Sequence, residues 1–428
     1  MGGQAFTHLS TPRMPPSVYT RVLATIQAIL KEHYQLVGSP IEAPGKDTYG
    51  DVDILVFHPL PGSPLAEITS RPELATQLSQ YLGAIHHILG PEINFAIPWP
   101  SDENHGAEPE QSKYIQLDLK ICSSEKMFQW ELFHAAHGDL WNILGSTIRP
   151  YGITVNNRGF YLRISQIEKL DRKKSMVFLT DDHGLILDFL GLDKGKWWSK
   201  FGSRNEMFLY AAGCRMFWIK DLDELDAEEG TGVEGGENGK KKLKHNDRAR
   251  MAKRPIFREW MEVFLPRCRE NGGFAGGKGV TREQVRDEAF AMFGAGVQTE
   301  YETRLKEWNL AKHKDEIWRV VVKGSVPEIE DLQFRAASVR TLKGIVMEGE
   351  TFKGKPVLEV TPNEEGFWDA DKVRTFVETN WKEAGDIGWA RQEERAREGM
   401  KAKAEKKKLL EEEQTRKNIG DDEATSPF

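Results

Sequence analysis

Three aspartates in this chain stand where chemistry is possible. Asp51 and Asp53 lie two apart in the apolar run Gly50-Asp51-Val52-Asp53-Ile54-Leu55-Val56, and Asp118 sits at the centre of a second run, Tyr114-Ile115-Gln116-Leu117-Asp118-Leu119-Lys120-Ile121. Residues two apart on a strand project from one face, about 7 Å apart along the backbone. In the second run Ile115, Leu117, Leu119 and Ile121 alternate toward a core, while Gln116, Asp118 and Lys120 point the other way. Three carboxylates on one sheet face repel one another, and a divalent cation is the simplest thing that reconciles them. Two Mg²⁺ ions about 4 Å apart can activate an attacking oxygen and neutralise a leaving pyrophosphate. Mg²⁺ needs only one or two carboxylates beside substrate phosphates and waters, and Mn²⁺ is the alternative ion.

The elements that must position these residues are readable nearby. A helix is expected from Ser17 to His33, with Ser17 as N-cap and Val18, Val22, Ile26, Ile29 and Leu30 as its apolar positions. A short apolar segment, Leu36 and Val37, then leads into Gly38-Ser39, whose backbone N–H groups and hydroxyl could meet a phosphate. Lys120, two residues after Asp118 on the same face, is the best basic candidate for a triphosphate contact, ahead of Lys46 and Lys113. Downstream, Met127 to Leu144 reads as one helix. Ile153-Thr154-Val155 and Phe160 to Ile164 flank Asn156-Asn157-Arg158-Gly159 as a hairpin, and Met176 to Leu179 reads as a further strand. Leu185 to Lys220 reads as helices packing Trp197, Trp198, Phe201, Phe208, Phe217 and Trp218 into a core.

Composition bounds the classes. At 428 residues, with 39% hydrophobic and 29% charged residues, the chain has room for two or three domains. No apolar run reaches the 18 or so residues of a membrane span. The start of the chain lacks the blocks of a secretory signal, and Phe6 stands where a myristoylation motif needs Ser or Thr. Cys122, Cys214 and Cys268 are few and far apart, which fits a reducing compartment, cytoplasmic or nuclear. A net charge of -7 argues against a non-specific nucleic-acid coat. Residues 221–237 carry eight acids and residues 240–254 carry eight bases, a pattern that reads as a solvated insertion. Its basic half is a candidate nuclear import signal or RNA-backbone contact.

Taken together, Gly38-Ser39, Asp51, Asp53 and Asp118 resemble the nucleotidyltransferase superfamily, the polymerase-β-like fold of poly(A) polymerases and CCA-adding enzymes. That pattern is a Gly-Ser after a helix, Asp-x-Asp on a strand, and a third Asp on a later strand. The resemblance covers residues 15 to 125. The chain departs from it at Gly50, where the family often has Ser, and at Pro40, which removes a backbone donor directly after Ser39. The resemblance implies an α/β (α+β) fold: a polymerase-β-like sheet with flanking helices, followed by a mainly helical C-terminal domain. It implies two Mg²⁺ ions on Asp51 and Asp53, with Asp118 completing the metal site or taking the proton of an acceptor hydroxyl. Gly38, Ser39 and Lys120 would then hold the triphosphate of an NTP, ATP or CTP, and the acceptor would be RNA, a protein or a small molecule. The rival from another class is an inactive scaffold of the same fold that binds RNA or a protein partner.

On this reading residues 1–125 form the catalytic core, 126–220 its α+β continuation, 221–254 the insertion, 255–390 a mainly helical domain and 391–428 a charged tail. Amphipathic stretches at 257–264, 282–293 and 301–308 carry the helical assignment, and Gly272-Gly273 with Gly276-Gly277 mark a turn. Other clusters read as structure. His134 and His137 beside Asp139 make half a zinc site at best. Asp181-Asp182-His183-Gly184 reads as a tight turn, His86-His87 as part of a helix, and Trp197-Trp198 as core.

Overall fold

A computed structural model describes residues 3–100, 113–219, 251–274 and 279–423. Residues 221–250 of the acid-then-base segment, and Gly276-Gly277, lie outside the described residues. The chain divides into two compact units, 1–301 and 302–428. The fold is mixed α/β, with a five-stranded and a three-stranded sheet in the first unit and helices in the second. No helix among the described residues is long and apolar enough to cross a membrane.

The first helix, α1, runs over Pro16–Lys31. Pro16 sets a helical φ at the first position, so the helix begins ahead of Ser17 and Pro15 is its N-cap, without a side-chain cap. Its buried stripe of Val18, Tyr19, Val22, Ile26 and Leu30 recurs at helical spacing and packs on the sheet. The sheet follows in the order β1-β2-β5-β4-β3, with β1 Tyr34–Gly38, β2 Asp51–Pro59, β3 His86–Leu89, β4 Ile93–Pro98 and β5 Tyr114–Cys122. Only β2 and β5 are parallel. β1 pairs antiparallel with β2, β4 with β5, and β3 with β4.

Alternation along β2 and β5 decides which face does what. Val52, Ile54, Val56, Ile115, Leu117 and Leu119 are fully buried against α1 and α2 (Arg71–Leu82), each worth about 1.5–3 kcal/mol of burial. The opposite parity carries Asp51, Asp53 and Leu55 on β2, and Gln116, Asp118, Lys120 and Cys122 on β5. Helix α3 (Glu125–Ala135) covers only the far part of this face, where Leu55 and Cys122 pack on Phe128. The aspartates are left at the uncovered end.

Two expected helices differ. The Met127 to Leu144 stretch forms α3 and then α4 (Leu140–Ile148), interrupted where His137 and Gly138 take left-handed φ values of 58° and 60°. His86-His87 lies on the edge strand β3, because Gly83 at φ 62° caps α2 and ends the helical run. The hairpin forms as read: β6 Ile153–Asn156 and β7 Gly159–Arg163 join through Asn157-Arg158, and β8 (Met176–Thr180) completes the second sheet. Behind it, Glu168 accepts a hydrogen bond from Arg282 at 2.6 Å and forms an ion pair with Arg163 at 3.0 Å, in a mostly buried network.

The second unit is built on a helix over Leu332–Glu348 and a long helix over Ala370–Glu423. Their shared core gathers Leu342, Ile345 and Val346 with Val373, Phe376 and Val377. Gly385 and Gly388 set how near the two helices come: a Cβ at Gly388 would stand 2.5 Å from the Thr341 hydroxyl and 2.8 Å from the Ala337 carbonyl. The charged stretch expected from Arg391 onward continues this long helix, exposed on all sides through residue 412.

Candidate active site

In the parallel pairing of β2 and β5, Asp53 stands directly opposite Asp118 and Asp51 opposite Gln116. Adjacent strands are about 5 Å apart, so Asp53 and Asp118 are neighbours by register alone. Both line a cavity of about 210 Å³ with Glu42, Lys46, Glu92, Lys120 and Glu131. The five acids of this lining outnumber its two bases, and both bases are already engaged: Lys120 with Glu131 at 2.7 Å, Lys46 with Glu42. Asp53, Glu92 and Asp118 are therefore without a compensating cation among the described residues.

The electrostatics follow from this crowding. The Asp53 carboxyl is pushed up to about 7, by its removal from bulk water first and then by Asp51, Asp118, Glu42 and Glu92. Its side chain is nevertheless open to solvent at the cavity mouth, which makes the four neighbouring carboxylates the sturdier part of that cause. Asp51 is raised as well, by burial and by Asp118, with Lys46 acting against them.

Asp118 differs in kind. Its Oδ1 accepts from Asn94 Nδ2 at 2.5 Å and from Gln116 Nε2 at 2.8 Å, and Gln116 Oε1 in turn accepts the Ala5 backbone N–H at 2.8 Å. The β4–β5 register, which sets Asn94 opposite Asp118, makes this clamp possible. Sequence reasoning missed Asn94 and assigned Gln116 no role, because nothing local in the sequence discloses an antiparallel register.

The cavity wall across from the strands is the loop Pro40–Lys46. Tyr19 on α1 donates to Glu42 Oε1 at 2.8 Å while its ring stacks on Tyr49 with centroids 3.9 Å apart. His137 fastens the same loop to the break between α3 and α4. Its backbone N–H donates to the Ile41 carbonyl at 2.6 Å, and its fully buried ring places Nε2 2.6 Å from the Trp197 carbonyl. Burial holds this imidazole below its usual pKa range. His137 is thus a structural latch, and His134, three residues earlier, does not share its environment.

The expected phosphate contacts fall elsewhere. Gly38 and Ser39 are not among the residues lining the cavity. The Gly38 Cα faces α3, where a Cβ would come within 3.0 Å of Phe128 and 3.2 Å of Leu132. The Ser39 hydroxyl accepts from Gln27 at 3.0 Å. Lys120 does line the cavity, paired with Glu131. Asp182 caps the helix His183–Leu190 through Leu185 N–H at 3.0 Å, and Trp197 is fully buried, so both read as structure.

As a donor set the site is all hard oxygen with surplus negative charge, the chemistry that suits Mg²⁺ or Mn²⁺. Among the described residues, no three His, Cys, Asp or Glu side chains stand together in a metal-holding arrangement. A cation here would draw on Asp53 and Asp118, with Asp51 on the same strand face. Set beside known proteins, the chain matches no family model and no curated protein.

Proposed function

We propose that the chain is a metal-dependent nucleotidyltransferase of polymerase-β-like fold, moving an NMP from an NTP to an acceptor hydroxyl with release of pyrophosphate. The observation that carries this reading is the placement of Asp53 against Asp118 across parallel strands, in one cavity and short of positive charge. A divalent cation held by these carboxylates would supply charge neutralisation for the phosphates. Asp53 lines the open mouth of the cavity, where it would take a proton from an acceptor hydroxyl. Asp118, fixed by its two amides, keeps one orientation and is the better anchor. This exchanges the roles that the sequence pattern implies for the third aspartate.

The inactive scaffold is favoured by one observation, the displacement of Gly38 and Ser39 from the cavity. A transfer assay with labelled ATP and CTP, Mg²⁺ or Mn²⁺, and total RNA or protein as acceptor separates the two. The transferase reading expects label incorporation that drops at least 100-fold in Asp53→Asn and Asp118→Asn. A parent protein that labels no acceptor, with metal and NTP binding unchanged in both variants, leaves the scaffold.

A further inference from the structure

The long helix of the second unit carries an unusual distribution of charge where it is exposed on all sides. Residues 395–408 hold seven bases against two acids. With a turn every 3.6 residues or so, Arg395, Lys403, Lys406 and Lys407 fall within about 120° of the helix surface and along about 18 Å of its axis. No acid between 391 and 412 falls in that arc. The other bases, Arg397, Lys401 and Lys408, share the remaining surface with the acids.

An exposed helix of this composition is ordinarily held by opposite charges three or four positions apart. Arg397 with Glu393 at 3.9 Å and Lys407 with Glu411 at 3.8 Å follow that rule. Lys403 and Lys406 break it. Neither has an acid three or four positions away, and Lys403 has lysines at both spacings on its C-terminal side. Both are exposed, and neither forms an ion pair among the described residues. Like charges at these spacings disfavour the helix that carries them. An extended anion lying along the arc would relieve the repulsion at all four cations together.

The residues around the arc narrow the choice of anion. Between 390 and 412 the large apolar residues are Met400, Leu409 and Leu410, which point three different ways and form no stripe that could enter a lipid surface. Protein interfaces are depleted in lysine and anchored on aromatic residues, and there is no aromatic residue between Trp389 and Phe428. The same lack removes base stacking and leaves the phosphates as the group contacted. We infer that this face of the helix docks on the phosphate backbone of RNA. That the partner is a nucleic acid rests on the helix alone; that it is RNA rests on the transferase reading, whose acceptors include RNA. With a net charge of -7 on the whole chain, the contact is local, a few phosphates along one stripe.

The test is fluorescence anisotropy of a labelled RNA hairpin with the full chain, in EDTA and without NTP, between about 50 and 200 mM KCl. Two triple variants remove the same charge from different sides: Lys403→Gln, Lys406→Gln and Lys407→Gln from the arc, and Arg397→Gln, Lys401→Gln and Lys408→Gln from the rest. The arc variant should bind at least 10-fold more weakly and lower the slope of log K against log[KCl] by about 2–3, while the other stays within about 3-fold of the parent. Arginine at the three arc positions should restore binding. Glutamine is a good helix former, and equal circular dichroism of the variants excludes a melted helix. Loss confined to the arc establishes the surface whether or not nucleotide transfer is ever detected, so failed transfer with RNA still bound removes the transferase reading alone. No binding of RNA by the parent, equal loss in both variants, or binding of a DNA hairpin or of phosphatidylserine vesicles with RNA left free would overturn the inference.

Discussion

Replacing Asp53 by Asn should stabilise the metal-free protein, and only above acid pH. The Asp53 carboxyl has a folded-state pKa raised from 3.8 to about 7. An acid raised on folding binds protons more tightly in the native state, so the unfolded chain gains by ionising first. The resulting penalty is absent below about pH 4, grows between 4 and 7, and is complete above 7. A sealed site would make it about 4 kcal/mol at 1.36 kcal/mol per pH unit. Because the side chain opens to solvent, screening brings the expected figure to about 1–2 kcal/mol. Asn keeps the shape and deletes the charge, so Tm should rise by about 2–6 °C at pH 8 in EDTA, with little change at pH 4. Saturating Mg²⁺ should reverse the order, since only the parent keeps the ligand that rewards folding. Scanning calorimetry of the two proteins at both pH values decides the matter. An Asn variant that melts lower at pH 8, or a difference equal at both pH values, would refute the argument.

Other expectations follow from the same contacts. Asn94→Ala should lower transfer at least 10-fold through a misplaced Asp118 while the melting temperature falls by only a few degrees, read by parallel assay and calorimetry. Glu168→Gln should cost about 2–4 kcal/mol in urea unfolding, because Arg163 and Arg282 would be left facing one another half-buried without their shared carboxylate. Gly388→Val should destabilise the second unit by about 2–4 kcal/mol, since its side chain would meet Thr341 and the Ala337 backbone well inside contact distance. The first unit's transition should stay in place, which differential calorimetry of the full chain can resolve.

Much of the sheet was legible because alternation is a local signal. The parity of β2 and β5 alone sets Asp53 and Asp118 on one face, and the Asn-Arg turn between β6 and β7 announces itself. Two helix boundaries were missed although their signals were present: Gly83 caps α2, and Gly138 follows the left-handed His137. In both cases apolar residues beyond the break kept a helical period, and the period outweighed one glycine. The site's finer chemistry was not legible for another reason. Asn94 meets Asp118 across 24 residues, and Arg254 meets Asp139 across 115. Spacing in the sequence carries no trace of contacts that a register or a tertiary turn creates. The absence of Gly38 and Ser39 from the cavity lining was hidden for the same reason. A glycine that admits a ligand and one that admits Phe128 look identical in one sequence.

The hydrogen bond from the Ala5 backbone to Gln116, and from Gln116 to Asp118, ties the segment ahead of α1 into the chemistry of the cavity. That segment is seated firmly: Phe6 is 1% exposed, the Tyr114 N–H donates to the Ser10 carbonyl at 2.9 Å, and the Thr11 hydroxyl donates to the Gly3 carbonyl at 2.7 Å. Any shift in the charge or orientation of Asp118 must pass to the Ala5 amide through a single intervening side chain. The amide is therefore a built-in gauge. Its proton chemical shift and its exchange rate with solvent should move whenever the cavity fills, without a label placed anywhere near the carboxylates.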